Sequence, residues 1–181
     1  MAEPSRGCPA AGEWLGYHAL SFVILCKIAL VGAPGVGKTS LVRRFVDSLF
    51  DDRYLTTIGV KVDKKQVRVG AEDVTLMIWD IAGAEDRFSV PSSYLKGAAG
   101  YLLVVDGTRL DTLDTAAALV AQVEHDVAEL PFVMVLNKKD LPDWRGDANE
   151  LSARCVAIVP SSAKTGDGVD EAFQRLAAAL T

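Results

Sequence analysis

The stretch "GAPGVGKTS", Gly32 to Ser40, decides the fold of this 181-residue chain. It follows an apolar run, "ILCKIALV" (Ile24–Val31), and precedes a segment whose apolar residues recur at helical spacing. A strand, a loop of the form G-x-x-x-x-G-K-[ST] and a helix, in this order, are typical of a phosphate-binding loop. The glycines permit backbone angles that turn successive N–H groups toward phosphate oxygens, and the start of the helix adds the positive end of its dipole.

We therefore expect this loop to bind the phosphates of a nucleotide. Lys38 is expected to reach the β- and γ-phosphates, and the Thr39 hydroxyl is expected to bind Mg²⁺. An ordinary glycine-rich turn is the competing interpretation, and the strand before the loop and the helix after it argue against that interpretation. The expected phosphate-binding residues are Gly35, Val36, Gly37, Lys38, Thr39 and Ser40.

On both sides of the loop, apolar runs alternate with helical patterns. Four runs are apolar almost throughout, which indicates strands buried on both faces: Ile24–Val31, Gly100–Asp106, Phe132–Asn137 and Arg154–Pro160. Helical spacing occurs in residues 39–48, 113–128 and 167–180. Residues 59–69 and 73–81 are typical of a hairpin with its turn at residues 70–72. The pattern predicts a three-layer α/β domain, with a mostly parallel six-stranded sheet, one antiparallel edge strand and helices on both faces.

Composition narrows the class of protein. The chain has 24 acidic and 19 basic residues and a net charge of −5, which argues against nucleic-acid binding through the phosphate backbone. No apolar run is long enough for a membrane-spanning helix. The three cysteines, Cys8, Cys26 and Cys155, form no metal-binding or disulfide pattern, which fits a reducing, cytoplasmic location. We expect residues 1–20 to form a flexible extension and residues 21–181 to form one domain.

Two further motifs follow apolar strands and bear on the identity of the nucleotide. "NKKD", Asn137–Asp140, stands at the end of one strand, where ligands bind in open parallel sheets. The Asp140 carboxylate can accept hydrogen bonds from guanine N1–H and N2–H₂, and adenine lacks that pair of donors. "SSAK", Ser161–Lys164, follows the last strand, and its backbone amides can meet guanine O6. A site that hydrogen-bonds one base in this way rejects the other strongly, so guanine is the predicted base.

With these motifs in order, the chain resembles a small GTPase of the Ras superfamily, of the Rab-like or prokaryotic Ras-like kind. The resemblance covers about residues 24 to 180. Beyond the loop, "NKKD" and "SSAK", it rests on "YLTTIG" (Tyr54–Gly59), "WDIAG" (Trp79–Gly83), "YLKGAAGYLLVVD" (Tyr94–Asp106) and "TGDGVDEAF" (Thr165–Phe173). It implies the G domain of a P-loop NTPase that binds GTP or GDP with Mg²⁺.

The resemblance also assigns roles to individual residues. Thr57 would bind Mg²⁺ and the γ-phosphate only in the GTP state, and the Gly83 N–H would touch that phosphate, so its loss would release both segments. Phe50 would lie across the guanine ring, although a core phenylalanine at the end of the first helix is the alternative. Thr39, Thr57 and Asp80 would form the metal site. The remaining expected nucleotide contacts are Asn137, Lys138, Asp140, Ser162, Ala163 and Lys164.

The most important departure from the family pattern is Ala84, which stands where the family places a glutamine that orients the attacking water. Alanine has no polar atom to position that water, so we expect slow intrinsic hydrolysis. The neighbouring Glu85 and Asp86 could substitute, but their charge would be repelled by the γ-phosphate.

Two other departures concern Pro34 and Arg53. Pro34, inside the phosphate loop, lacks an N–H, but Gly35, Val36 and Gly37 still supply amides. Arg53, four residues before Thr57, could be a built-in arginine that stabilises transition-state charge, so it joins Lys38, Thr57 and Gly83 as a candidate catalytic residue. The alternative for Arg53 is an exposed arginine that contacts a partner or solvent. The segment between Asp140 and Ser162 is short and has room for only a brief helix.

The sequence thus predicts a GTP/GDP switch with slow hydrolysis, helped by a partner. Its alternative is a scaffold that stays loaded with GTP; a nucleoside or ATP kinase is disfavoured by "NKKD" and "SSAK". We expect an exchange factor, an activating protein and an effector to bind through residues 50–63 and 83–96. The chain has no C-terminal cysteine, and residue 2 is Ala2, so no direct lipid anchor is expected.

Overall fold

The computed structural model of the chain describes residues 24–51, 57–82, 90–146 and 150–181. The strands are β1 (Ile24–Val31), β2 (Val60–Val69), β3 (Glu72–Ile81), β4 (Gly100–Asp106), β5 (Phe132–Asn137) and β6 (Ala157–Pro160). The α-helices are α1 (Lys38–Asp47), α2 (Ser92–Leu95), α3 (Asp111–Asp126) and α4 (Val169–Ala179), and a short 3-10 helix spans Glu150–Ala153. The predicted extension, residues 1–20, lies outside the described residues.

The six strands form one sheet in the order β2-β3-β1-β4-β5-β6. β1, β3, β4, β5 and β6 are parallel to their neighbours, and only β2 runs antiparallel, paired along its length with β3. The hairpin therefore places its first strand at the edge of the sheet. The predicted fold, a mostly parallel six-stranded sheet with one antiparallel edge strand, is confirmed.

Helices cover both faces of the sheet, and each face has its own core. One core joins the sheet to α1 and α4, where the rings of Phe45 and Phe173 stack with 3.8 Å between centroids. The other core joins it to α2 and α3. The central strands are buried on both sides, and every residue of β4 and β5 is buried, which explains why their sequences are apolar throughout.

The last strand is shorter than the sequence predicts. β6 begins at Ala157 rather than Arg154, because the preceding residues form a turn in which the Arg154 N–H bonds to the Leu151 carbonyl. The Arg154 guanidinium instead forms an ion pair with Glu124 on α3. The brief helix expected between Asp140 and Ser162 is present as the 3-10 turn.

Two cysteines belong to the described part of the chain. Cys26 is buried in one core, and Cys155 packs, half-buried, against the other. Among the described residues, no helix combines the length and the apolar character needed to cross a membrane.

Candidate nucleotide-binding site

Of the predicted site residues that the structure describes, most lie on, or directly beside, loops that leave the same edge of the sheet. The loops follow the carboxyl ends of β1, β5 and β6, which are parallel strands and therefore end together. β1 continues into α1 on one face of the sheet, whereas β4 continues toward α3 on the other. The chain diverges at this point, and open parallel sheets bind their ligands in the crevice between two such loops.

The phosphate loop can take its shape only with glycine at two positions. Gly37 has a φ of 103°, and a Cβ there would lie 2.3 Å from the Asn137 Nδ2 atom. Gly32 has a φ of 153°, and its Cβ would lie 2.3 Å from the Val104 carbonyl oxygen. Any side chain at either position would push the loop away from its neighbours. Between them, Val36 is fully buried and anchors the loop in the core.

Lys38 is the first residue of α1, and its side chain folds back into the phosphate loop. The ammonium donates hydrogen bonds to the carbonyls of Gly32 (2.7 Å) and Ala33 (3.0 Å), and the residue is only 7% exposed. Burial lowers the pKa of Lys38 to about 8, and the negative charge of Asp80 offsets this only in part. A positive charge is thus held where the loop can receive an anion. Ser40 lies half-buried in the first turn of the same helix.

Three oxygen-bearing side chains meet beside Lys38. The hydroxyls of Thr39 and Thr57 are 2.5 Å apart. Asp80, near the end of β3, is 1% exposed, and among the described residues neither of its carboxylate oxygens has a hydrogen-bond partner. Burial raises the pKa of Asp80, although the nearby Thr39 hydroxyl and the Lys38 ammonium oppose this effect. An orphaned buried carboxylate beside two hydroxyls has the hard oxygen donors that suit Mg²⁺.

Asn137, the last residue of β5, joins three loops through one amide. Its Nδ2 donates to the Val36 carbonyl in the phosphate loop (2.8 Å). Its Oδ1 accepts from the Ala163 N–H (3.1 Å) and the Ser161 hydroxyl (3.4 Å) after β6. The residue is buried, so these bonds are shielded from water and fix the loops relative to one another.

The next contacts hold the "NKKD" and "SSAK" loops together. The Ser162 hydroxyl donates to one carboxylate oxygen of Asp140 at 2.6 Å, and the Lys139 N–H donates to the Ser161 carbonyl at 2.9 Å. The Lys139 side chain forms an ion pair with Asp167 at 2.8 Å. The Asp140 carboxylate is therefore oriented by a neighbouring hydroxyl at the rim of the crevice.

Lys138 has a left-handed backbone, with a φ of 67°, and its ammonium lies 2.6 Å from the Asp106 carboxylate at the end of β4. The second oxygen of Asp106 accepts from the N–H (3.0 Å) and the hydroxyl (2.7 Å) of Thr108. Burial raises the pKa of Asp106, but the hydrogen bonds from Lys138 and Thr108 outweigh it, and the pKa is lowered overall. The lysine of "NKKD" is thus tied to the β4–α3 loop.

Sequence patterns missed the role of Arg44. By itself, the short basic run Arg43-Arg44 predicts only a solvated face. The structure differs at Arg44, whose guanidinium donates to the carbonyls of Ala163 (2.9 Å) and Lys164. It also lies 5.9 Å from the centre of the Phe50 ring. No local pattern could have shown this, because 119 residues separate Arg44 from Ala163.

The remaining expected site residues are placed as follows. Phe50 comes after the end of α1 and packs, half-buried, against the α1–α4 core, which leaves both interpretations of its ring open. Lys164 is exposed at the rim. Arg53, Gly83 and Ala84 lie outside the described residues.

The site combines a phosphate loop between strand and helix, a buried carboxylate beside that loop, and the Asn137 amide, which connects the loop to the "SSAK" loop. Together these features define a P-loop nucleotide-binding domain of the GTPase type. The sequence profile of the Ras family matches residues 27–181. The Ras-related protein Rab-10 of Caenorhabditis elegans is 33% identical over 163 residues, which cover 87% of this chain and 81% of that protein. The chain belongs to the Ras family of small GTPases and is Rab-like, and it is accordingly a GTP-binding protein.

Proposed function

We propose that the protein is a GTP/GDP switch whose own hydrolysis is slow and whose GTP state ends with the help of a partner. The observation that carries the switch is the Asn137 amide, which bonds the phosphate loop to the loop after β6. A nucleotide that bridges these loops would bind through its phosphates and its base at once. The expectation of slow hydrolysis is based on Ala84, which stands where the family places the glutamine that orients water.

On the phosphate side, Lys38 and the amides of Gly35, Val36 and Gly37 would bind the β- and γ-phosphates. Thr39, Thr57 and Asp80 would hold Mg²⁺, which is supported by the unpartnered Asp80 oxygens. The ion would supply positive charge next to the transferred phosphoryl group. The bound nucleotide and ion would also relieve the desolvated charges of Lys38 and Asp80, which is a reason for both residues to be buried there.

On the base side, the Asp140 carboxylate would accept the two guanine donors, and the Ser162 hydroxyl would hold the carboxylate in position. The loop of Ser162, Ala163 and Lys164 would meet guanine O6 with its amides. Phe50, with Arg44 beside its ring, would cover the base. Lys138, fixed by Asp106, would complete the pocket wall.

The chemistry would be in-line attack of water on the γ-phosphate. Lys38 and the loop amides would stabilise the charge that develops. The Gly83 N–H and Thr57, whose hydroxyl lies beside that of Thr39, would contact the γ-phosphate. Ala84 supplies nothing to orient the water. Arg53 is the residue of this chain that could add charge; otherwise the missing group would come from another protein.

Partners would bind beside the nucleotide. Residues 50–63 and 83–96 would be the docking segments for an exchange factor, an activating protein and an effector. Two apolar side chains in the first segment support this, because Ile58 is 93% exposed and Val62 is 43% exposed. We place the protein in the cytoplasm.

The test combines nucleotide identification on the purified protein with single-turnover GTP hydrolysis. We expect bound guanine nucleotide, slow hydrolysis by the parent, and a rate about tenfold higher in Ala84→Gln, the effect of one added hydrogen bond to the attacking water. Bound ATP, or no affinity for GDP, would overturn the whole proposal. A parent rate equal to that of Ala84→Gln would reject slow hydrolysis. Failure of every activating protein to raise the rate would favour the GTP-loaded scaffold.

A further inference from the structure

Arg109, in the loop between β4 and α3, reaches across the crevice to the phosphate loop. Its Nη2 donates to the Pro34 carbonyl at 3.1 Å, although 75 residues separate the two positions. Its Nε lies 3.4 Å from the Asp106 carboxylate. The planar guanidinium can hold both groups at once in a fixed geometry, which a lysine ammonium cannot do.

The anchor of this arginine is rigid. Asp106 is nearly fully buried, and its carboxylate is already held by Lys138 and by Thr108. The backbone of Arg109 is held as well: its N–H bonds to the Asp106 carbonyl, and its carbonyl accepts from the Thr112 hydroxyl at 2.7 Å. The Arg109 side chain is 44% exposed, but its own backbone and the Asp106 carboxylate that it contacts are both held by hydrogen bonds.

The contact on Pro34 complements the contact made by Asn137. Asn137 bonds the Val36 carbonyl, and Arg109 bonds the Pro34 carbonyl, two residues earlier in the same loop. Both bonds come from neighbouring loops, so they fix the peptide orientation across Gly35, the turn of the loop with a φ of 73°. The orientation of these peptides decides where the loop's N–H groups point, and a phosphate-binding loop depends on that direction.

We propose that Arg109 is a positioning residue for nucleotide binding, which holds the phosphate loop at Pro34 from the buried anchor of Asp106. The inference rests on the proposed function, since it concerns the same nucleotide. Arg109 acts on the phosphate half of the ligand. Its loss should therefore weaken the hold on GDP and leave the recognition of the guanine base unchanged.

The experiment measures release of a fluorescent GDP derivative from the parent, Arg109→Ala, Arg109→Lys and a control, Arg175→Ala. Arg175 forms an exposed pair with Glu171 on α4, outside the crevice. We expect Arg109→Ala to release GDP about 3- to 10-fold faster, the effect of one partly exposed hydrogen bond of a charged group. Arg109→Lys should lie between alanine and the parent, because one ammonium can bond one of the two partners. Arg175→Ala should match the parent.

A second readout separates positioning from general loosening. Guanosine, which has no phosphate, should compete equally well for the parent and for Arg109→Ala. Equal GDP release by the parent and Arg109→Ala would overturn the inference, and so would an equal loss of guanosine and GDP affinity. If the parent itself binds no GDP, the proposed function fails, which is a different outcome from a parent that binds GDP and is insensitive to Arg109.

Discussion

Lys38 holds a positive charge in a nearly closed space with two backbone carbonyls as its hydrogen-bond partners. Burial there costs stability, since the carbonyls carry only partial charges and no carboxylate of the described residues is bonded to the ammonium. Asp80 shows the same imbalance with the opposite sign, because its buried oxygens have no hydrogen-bond partner in the part of the chain that the structure describes. Such residues are typical of sites at which a ligand completes the charge balance.

Replacing Lys38 by methionine should therefore move stability and binding in opposite directions. We expect the free energy of unfolding of the nucleotide-free protein to rise by about 1–2 kcal/mol, as a buried charge gives way to an apolar chain of similar length. GDP affinity should fall by about 100-fold or more, because charged hydrogen bonds to phosphate are lost. Urea denaturation and GDP titration measure the two effects. The exposed Lys64→Met is the control, and a Lys38→Met variant that loses stability would contradict the argument.

At the scale of elements, the β4–α3 loop and the loop after "NKKD" lie against each other. The Gly107 N–H bonds to the Asn137 carbonyl, and the Gly107 carbonyl accepts from the Arg145 N–H. The indole of Trp144 fills the space between the two loops. A Cβ on Gly107 would lie 2.1 Å from the Trp144 Nε1, and one on Gly146 would lie 2.4 Å from its Cη2. Glycine at both positions is what admits the indole.

Gly107→Ala should destabilise the protein by about 1–3 kcal/mol, because the new methyl group displaces the indole. The φ of Gly107 is not in the left-handed region, so the cost is steric contact and not backbone strain. Urea denaturation measures it. In the Trp144→Ala background the same change should cost much less, because the clash is gone.

The matched control is Gly70→Ala. Gly70 has a φ of 58° and no atom within 4 Å of its Cβ position, so alanine there meets strain without a clash. We expect a cost of about 1 kcal/mol that is the same with and without Trp144. Additive costs for Gly107→Ala and Trp144→Ala would contradict the packing explanation.

The first and last residues of the central strands could be predicted from the sequence, whereas the ends of other elements could not. β4 and β5 are buried throughout and β1 is buried from Ile28 to Val31, so their apolar runs coincide with the strands themselves. α3 begins at Asp111, two residues before its first apolar position, because polar residues form its first turn. α2 was not predicted, since a helix of four residues has too few positions to show a period.

The site was predictable where a motif carries the chemistry within a few residues, as in the phosphate loop and "NKKD". The two arginines whose hydrogen bonds hold the loops of the site were not predictable. Arg44 and Arg109 act on backbone carbonyls, which leave no trace in the side-chain pattern of the segment they contact. The adjacency of β1 and β4 in the sheet brings Arg109 to the phosphate loop, and the packing of α1 and α4 in one core brings Arg44 to the loop after β6.

For the molecule as a whole, the sheet and its two cores form the buried part of the described fold, and the proposed switch lies at one edge of the sheet. A ligand that binds the folded state and bridges these loops stabilises the entire domain, since its binding energy adds to the free energy of unfolding. GTP and GDP would differ only in what the γ-phosphate touches. The difference between the two states should therefore be local, even though binding of either nucleotide stabilises the molecule globally.

Hydrogen exchange tests whether the two states differ only locally. It is measured on the GDP complex and on the complex with a non-hydrolysable GTP analogue. We expect the analogue to slow exchange in residues 50–63 and 83–96, because in the proposed switch the γ-phosphate would order them through Thr57 and Gly83. Exchange in β4, β5 and α4 should be the same in both complexes. Thr57→Val, which keeps the shape and removes the hydroxyl, should abolish the difference in residues 50–63. If the GDP and analogue complexes of the parent show identical exchange in both segments, the switch is contradicted. Equal affinity for the two nucleotides in the same samples would show that binding itself is intact.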